Sequence, residues 1–309
     1  MKTVPFATAS APAVVAGMMR IHDKDDAEIR GLYDAARDAG IDFFDHADIY
    51  GGRMHRCEER FAEALQLSSA ERDEITLQTK CGIVPADGAY DFSYEHIMRQ
   101  VDGSLSALRT DRIDVLLLHR PDALVEPDEV ARAFDELQAS GKVRAFGVSN
   151  HTPRQIDLLR TAVTQPFIAN QLQLSLTHAS MIAGPIAANR EATQQSITRD
   201  GGGILEYCRA HAITVQAWSP MQAGAGLGPF IGSPDHPELN AALDRIAEAH
   251  DSTPIGIAVA WVTRHPAQMQ VVMGTTTPER LVAAAHGSDV QLSRVEWYEL
   301  YRAAGHLLP

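Results

Sequence analysis

Asp45, Tyr50, Lys80 and His119 stand in the segments FFDHADIYGG, ITLQTKCG and IDVLLLHRPD, at or just past the C-terminal ends of three successive runs that read as strands. The four types suit one reaction. A phenol protonates a carbonyl oxygen more readily when a nearby ammonium eases loss of its proton, and Lys80 can supply that charge to Tyr50. Asp45 can pair with Lys80 and hold it, while His119 can donate a hydrogen bond to the same carbonyl oxygen. Singly, each has an ordinary explanation as a loop cap, a solvated strand end, a buried histidine or a loop aromatic. Jointly they point to carbonyl reduction by hydride transfer, because adjacent strand ends of a barrel open into one pocket.

The elements that must position them recur along the chain. Eight short apolar, β-branched runs span Val14 to Met18, Ile41 to Asp45, Ile75 to Lys80, Ile113 to His119, Val143 to Val148, Phe167 to Leu172, Ile213 to Trp218 and Gln270 to Met273. Runs of this kind, bounded by turn or polar residues, read as buried parallel strands. Most are separated by helical periodicity. Between Asp26 and Ala39, Ile29, Leu32, Ala36 and Ala39 share a face, with Asp25 as N-cap and Gly40 past the end. Ser93 to Leu108 and Pro127 to Ser140 repeat the pattern, and Thr152-Pro153 opens another helix. Eight β/α units without a linker predict an α/β protein with one domain over residues 1–309, a (β/α)8 TIM barrel. Ser175 to Gly203, before strand seven, reads as a long active-site loop. Ser293 to Gly305 reads as an extra amphipathic helix outside the barrel, with Val295, Tyr298 and Leu300 or Tyr301 available for packing.

Bulk properties narrow the partners. With 27 basic and 40 acidic residues the net charge is −13, which argues against a nucleic-acid or anionic-membrane surface. No stretch approaches the roughly 20 apolar residues of a membrane span. The N-terminal run is short and broken by prolines, which argues against a secretory leader. Three cysteines, Cys57, Cys81 and Cys208, make no disulfide framework and fit a reducing cytoplasm. No metal is expected, since His55 and Cys57 lack a second ligand pair. Oligomeric state is not legible.

In order and at barrel spacing, the segments FFDHADIYGG, QTKCG, VLLLHRPD, GKVRAFGVSN, NQLQLS, QAWSPM and MGTTTPERL resemble the aldo-keto reductase superfamily over essentially the whole chain, closest to its bacterial oxidoreductases. The resemblance implies that Asp45, Tyr50, Lys80 and His119 are the catalytic tetrad, with tyrosine as general acid, and that NADPH lies across the barrel's C-terminal face, with NADH as an alternative. It also implies cofactor contacts. Ser149, Asn150 and Gln171 match the residues that hold the nicotinamide carboxamide, and Trp218 the aromatic stacked beneath the ring. Met18 joins the cofactor set at the first strand end. Ser219 and Met221 match the loop over the pyrophosphate, while Gly274, Thr275, Thr276, Thr277 and Arg280 fall at the adenosine end, with Arg280 suited to the 2′-phosphate.

Some positions depart from that pattern. Gly274 replaces a common lysine, and Ala283 and Ala284 replace residues that hold adenine, which weakens the case for NADPH over NADH. Met19, His46 and Tyr90 are candidate pocket walls, together with Trp218, and suit a small aldehyde or ketone more than a polyanionic sugar. Two other functions remain open: a nicotinamide-sensing subunit with slow turnover, and a Schiff-base lyase built on Lys80.

Overall fold

The computed structural model describes residues 1–186, 203–224 and 227–308. Eight parallel strands close into a barrel in sequence order. They are β1 (Val14–Gly17), β2 (Phe43–Asp45), β3 (Thr76–Cys81), β4 (Ile113–Leu118), β5 (Val143–Ser149), β6 (Phe167–Gln173), β7 (Thr214–Trp218) and β8 (Gln270–Met273). β8 pairs with β1 through Val271, Val272 and Met273 against Val14, Val15 and Ala16, which seals the ring. The fold is a (β/α)8 TIM barrel.

Alternation along each strand divides the side chains between two cores. On β4, Leu116 and Leu118 face the helices and join the large outer core, whereas Val115 and Leu117 turn into the barrel. Inside, they meet Val15, Phe43, Ile168, Ala169, Val272 and Phe6. Phe6 comes from an N-terminal hairpin, Thr3–Phe6 with Ala9–Pro12, that no sequence pattern marks. Its ring packs edge-on against Phe43 at 5.3 Å, and Thr214 Oγ1 donates to Pro5 O at 2.9 Å, so the hairpin plugs the end of the barrel remote from the strand C-termini.

The expected helix signals are used. Asp25 caps Asp26–Asp38 in a capping box with Glu28, and Gly40 follows with φ +83°. Ser93 caps Tyr94–Leu108, and Thr152 and Gln155 form a box on Pro153–Leu159. The last helix is Arg294–Ala303, packed by Trp297, Leu300 and Tyr301; Val295, expected to pack, is 74% exposed instead. Trp297 and Trp261 stack at 4.9 Å and each donates its indole N–H to the other's carbonyl. Trp261 lies on Pro254–Thr263, a helix apolar all round. Within the expected long loop, Ser180–Ile186 is helical, and residues 187–202 lie outside the described residues. No helix among the described residues is long and apolar enough to cross a membrane.

The helices Pro254–Thr263 and Pro278–Gly287 touch backbone to backbone. A Cβ on Gly287 would fall 2.2 Å from the Gly256 Cα, a distance that atoms cannot share. Gly287→Ala must therefore push the helices apart, and we expect it to lower unfolding stability by roughly 1–3 kcal/mol. Urea titration checks this; an unchanged midpoint and slope would mean that the close approach is not required.

Candidate active site

At the C-terminal rim, Lys80 ends up wholly enclosed because β3 sends Gln78 and Lys80 to the same inner face. Its ammonium donates to Asp45 Oδ1 at 2.8 Å and Oδ2 at 2.7 Å, to His46 O at 2.7 Å and to Tyr50 Oη at 3.3 Å. Backbone bonds fix the loop that carries Tyr50: His46 N to Gln78 O, Asp48 N to Lys80 O and Tyr50 N to Ala47 O. The Tyr50 and His119 rings meet edge to face at 5.9 Å. Asp45, Tyr50 and His119 line a cavity of about 560 Å³, with Lys80 behind them.

Burial and neighbouring charge act in opposite directions on these groups. Burial raises the Tyr50 phenol, and the nearby Lys80 charge only partly offsets it. Burial lowers Lys80, but Asp45 and Tyr50, through charge and hydrogen bonds, together outweigh that and hold the ammonium above its ordinary range. His119 is held well below its ordinary value by burial, then by the positive charges of Lys80 and Arg120, so its ring is neutral. Its Nδ1 is enclosed without a partner among the described residues, which leaves Nε2 as the ring nitrogen that meets the cavity.

Beneath the carboxylate lies a ladder of glutamines. Gln78 Nε2 donates to Asp45 Oδ1 at 2.5 Å and to Gln216 Oε1 at 2.9 Å, and Gln171 Nε2 donates to the same two oxygens at 3.1 and 3.2 Å. Gln216 Nε2 donates to Gln78 Oε1 and Gln270 Oε1, and Gln270 Nε2 to Pro12 O of the hairpin. Behind the Tyr50 loop, the buried Glu58 carboxylate accepts from Thr79 Oγ1 at 2.6 Å, Ser104 Oγ at 3.1 Å and His55 Nδ1 at 2.7 Å. Beside it, burial and then the Glu58 charge push the Asp48 carboxyl up to about 8. His55 and Cys57 take separate partners, Glu58 and Met19 O.

The remaining sequence candidates divide. Met19, Ser149, Asn150, Gln171, Trp218, Ser219, Met221, Gly274, Thr275, Thr276, Thr277 and Arg280 all line the cavity. Asn150 is already engaged: its Nδ2 donates to Ser149 Oγ at 2.9 Å and its Oδ1 accepts from Trp218 Nε1 at 3.1 Å. Gln171 commits its N–H groups to Asp45 and Gln216, so its Oε1 is the group free to accept. Met18 is buried, with its N–H on Asp45 O, and does not line the cavity. His46 is no pocket wall. The residue after Asp45 turns outward, and its ring packs edge-on against Phe61 at 4.8 Å. Tyr90 sits on a small hairpin, Ile83–Val84 with Ala89–Tyr90, and faces a neighbouring groove instead.

Arg20 also lines the cavity, though no sequence motif marks it. Its Nη1 donates to Gly274 O at 2.6 Å and lies 3.7 Å from where a Cβ on Gly274 would stand. A guanidinium from the turn after β1 thus occupies the neighbourhood that a lysine at position 274 would enter. Close by, the helix Pro278–Gly287 starts with no side-chain cap on its first turn. Two guanidiniums, three threonines and a helix N-terminus are a donor set that fits a phosphate group.

A barrel with an ion-paired lysine, a tyrosine and a histidine on one rim defines a carbonyl-reducing class, and comparison with known proteins agrees. The aldo/keto reductase family matches residues 13–303, and the chain belongs to that family. It is 34% identical to the 6-dehydroglucose reductase of Agrobacterium fabrum (strain C58 / ATCC 33970), over 94% of this chain and 93% of the relative. It is 33% identical to oxidoreductase YdhF of Escherichia coli (strain K12), over 86% and 84%. The solved thermostable aldo-keto reductase Tm1743 superposes with a TM-score of 0.77 at 21% identity, over 98% of this chain and 100% of that one, and shares the fold. The chain is an NAD(P)H-dependent oxidoreductase that acts on a small-molecule carbonyl.

The fold also commits His46 to neutrality. Burial holds it at about 4, against the opposing pull of Glu58 and Asp45, and both ring nitrogens lack a partner among the described residues. Below the ordinary value of 6.5 the unfolded chain binds a proton here that the folded chain refuses until about 4, so stability falls as pH falls through that window. His46→Phe removes this loss. In denaturant unfolding the variant should gain on wild type by roughly 1–2 kcal/mol between pH 8 and pH 5; a pH-independent difference would show that His46 does not titrate this way.

Proposed function

We propose that the site reduces an aldehyde or ketone to an alcohol with NADPH, Tyr50 giving its phenolic proton to the carbonyl oxygen. The observation that carries this reading is the Lys80 ammonium, 3.3 Å from Tyr50 Oη and fixed there by both Asp45 oxygens. The bound nicotinamide would supply the hydride. As Tyr50 releases its proton, the phenolate is stabilised by an ammonium already in place, so no charge has to be brought in. The neutral His119 donates from Nε2 to the same oxygen and orients it. Asp45 keeps Lys80 charged, which also argues against a Schiff base, since that reaction needs the free amine.

The cofactor assignment follows the cavity wall. Gln171 Oε1 would accept from the carboxamide N–H, with Ser149 and Asn150 beside it. Trp218 would offer its face to the ring, and Ser219 and Met221 would flank the pyrophosphate. Arg20 and Arg280, with Thr275, Thr276 and Thr277, would hold the 2′-phosphate, so that Arg20 makes up for the lysine missing at 274. That supports NADPH over NADH.

Tyr50→Phe should keep cofactor affinity and lose at least about a hundredfold in kcat, as expected for loss of a positioned acid; a folded variant with wild-type turnover would sink the assignment. Reduction requires the protonated phenol, and burial keeps Tyr50 above its ordinary 10.0. The pH profile of kcat should therefore be flat through neutral pH and fall only on the alkaline side. Replacing Arg20 or Arg280 with alanine should raise Kd for NADPH roughly tenfold each, as for one charged hydrogen-bonding partner, with little change for NADH. Fluorescence titration reads this directly, and equal losses for both cofactors would remove the 2′-phosphate role.

A further inference from the structure

Among the described residues three arginines line the cavity, Arg20, Arg120 and Arg280, and one carboxylate, Asp45, which is bound to Lys80. In a chain of net charge −13 this wall is locally cationic. Arg20 follows β1 and Arg280 lies in the helix after β8, and these two strands pair directly. Arg120 follows β4, four strands from β8 in a ring of eight, so its backbone leaves the opposite side of the mouth and its guanidinium reaches inward to the Trp218 ring. A phosphate held by Arg20 and Arg280 therefore leaves Arg120 to another anion.

Arg120 lies beside the reacting groups. It is the residue after His119, it is half-buried, and its guanidinium carbon is 5.9 Å from the centre of the Trp218 ring. Among the described residues no carboxylate comes within ion-pair distance of it. Asp122, two residues on, commits Oδ2 to the Phe92 N–H at 3.0 Å and Oδ1 to the Leu124 N–H at 2.8 Å. Holding a guanidinium in a half-enclosed pocket without a counter-ion costs solvation that a bound anion restores, and the planar fork matches a carboxylate in two parallel hydrogen bonds.

We propose that Arg120 sets substrate choice: the carbonyl compound carries a carboxylate, which Arg120 holds while the carbonyl carbon faces the nicotinamide and its oxygen faces Tyr50 and His119. This rests on the reductase reading above and adds the substrate's class. The carboxylate is unchanged in the reaction; the carbonyl carbon takes a hydride from the reduced nicotinamide and its oxygen a proton from Tyr50, giving a hydroxy acid. Apolar walls alone suit an uncharged aldehyde, and it is the unpaired cation that changes that expectation.

The test is steady-state reduction of matched pairs: succinic semialdehyde beside butyraldehyde, and 4-carboxybenzaldehyde beside 4-methylbenzaldehyde, with glyceraldehyde as an uncharged polyol. Wild type should prefer the carboxylated member of at least one pair in kcat/KM. Arg120→Met should lower that preference roughly tenfold or more, mainly through KM, and Arg120→Lys should restore part of it. Reduction of the uncharged aldehydes with no preference for either carboxylated partner overturns the proposal and leaves the reductase reading standing. So does a loss in Arg120→Met that is equal across each pair or greatest for glyceraldehyde. Folded wild type that reduces none of the compounds overturns both.

Discussion

A charge pair sealed inside the barrel governs this structure. Lys80 and Asp45 have side-chain exposures of 0% and 4%, and two ions removed from water are tolerated only when their remaining hydrogen-bonding capacity is met. Here β2 provides the carboxylate, β3 the ammonium, β6 and β3 the glutamine amides that share the Asp45 oxygen, and the His46 carbonyl a further acceptor. The inward positions of these strands are thus constrained by one ion pair as well as by packing. Tyr50 is drawn to the same point because its hydroxyl is within reach of the ammonium.

Much of the barrel was legible in the sequence because parallel strands covered on both faces are short, apolar and β-branched, and the eight that form fall within the eight runs or one residue beyond them. Helices with a polar stripe and a capping residue were equally plain. Other elements escaped, the short helix Ser69–Asp73 in spite of its Ser68–Glu71 capping box. Pro254–Thr263 is apolar all round, so no period marks it, and the N-terminal hairpin joins two strands of only four residues. In the last helix, Val295 and Trp297 are two positions apart and so fall on different faces.

The proposed site divides in the same way. Strand parity explains why Asp45 and Lys80 face inward, and equally why His46, one residue on, faces Phe61. The roles proposed for Arg20 and Arg120 were not legible, since both look like ordinary polar neighbours until the positions of Gly274 and Trp218 are known. The Glu58 cluster joins residues up to 49 apart in sequence, and no local pattern could pair them.

The glutamine ladder has a direction. At one end the Asp45 carboxylate can only accept a hydrogen bond, and at the other the Pro12 carbonyl can only accept one. Gln78 and Gln270 must therefore each turn an N–H toward its own end, and both of their oxygens accept from Gln216, whose own oxygen accepts the second N–H of Gln78. Turning any of these amides over would set donor against donor or oxygen against oxygen. The barrel interior consequently admits a single proton order, and a charge at the rim fixes how an amide is turned on the far side of the molecule.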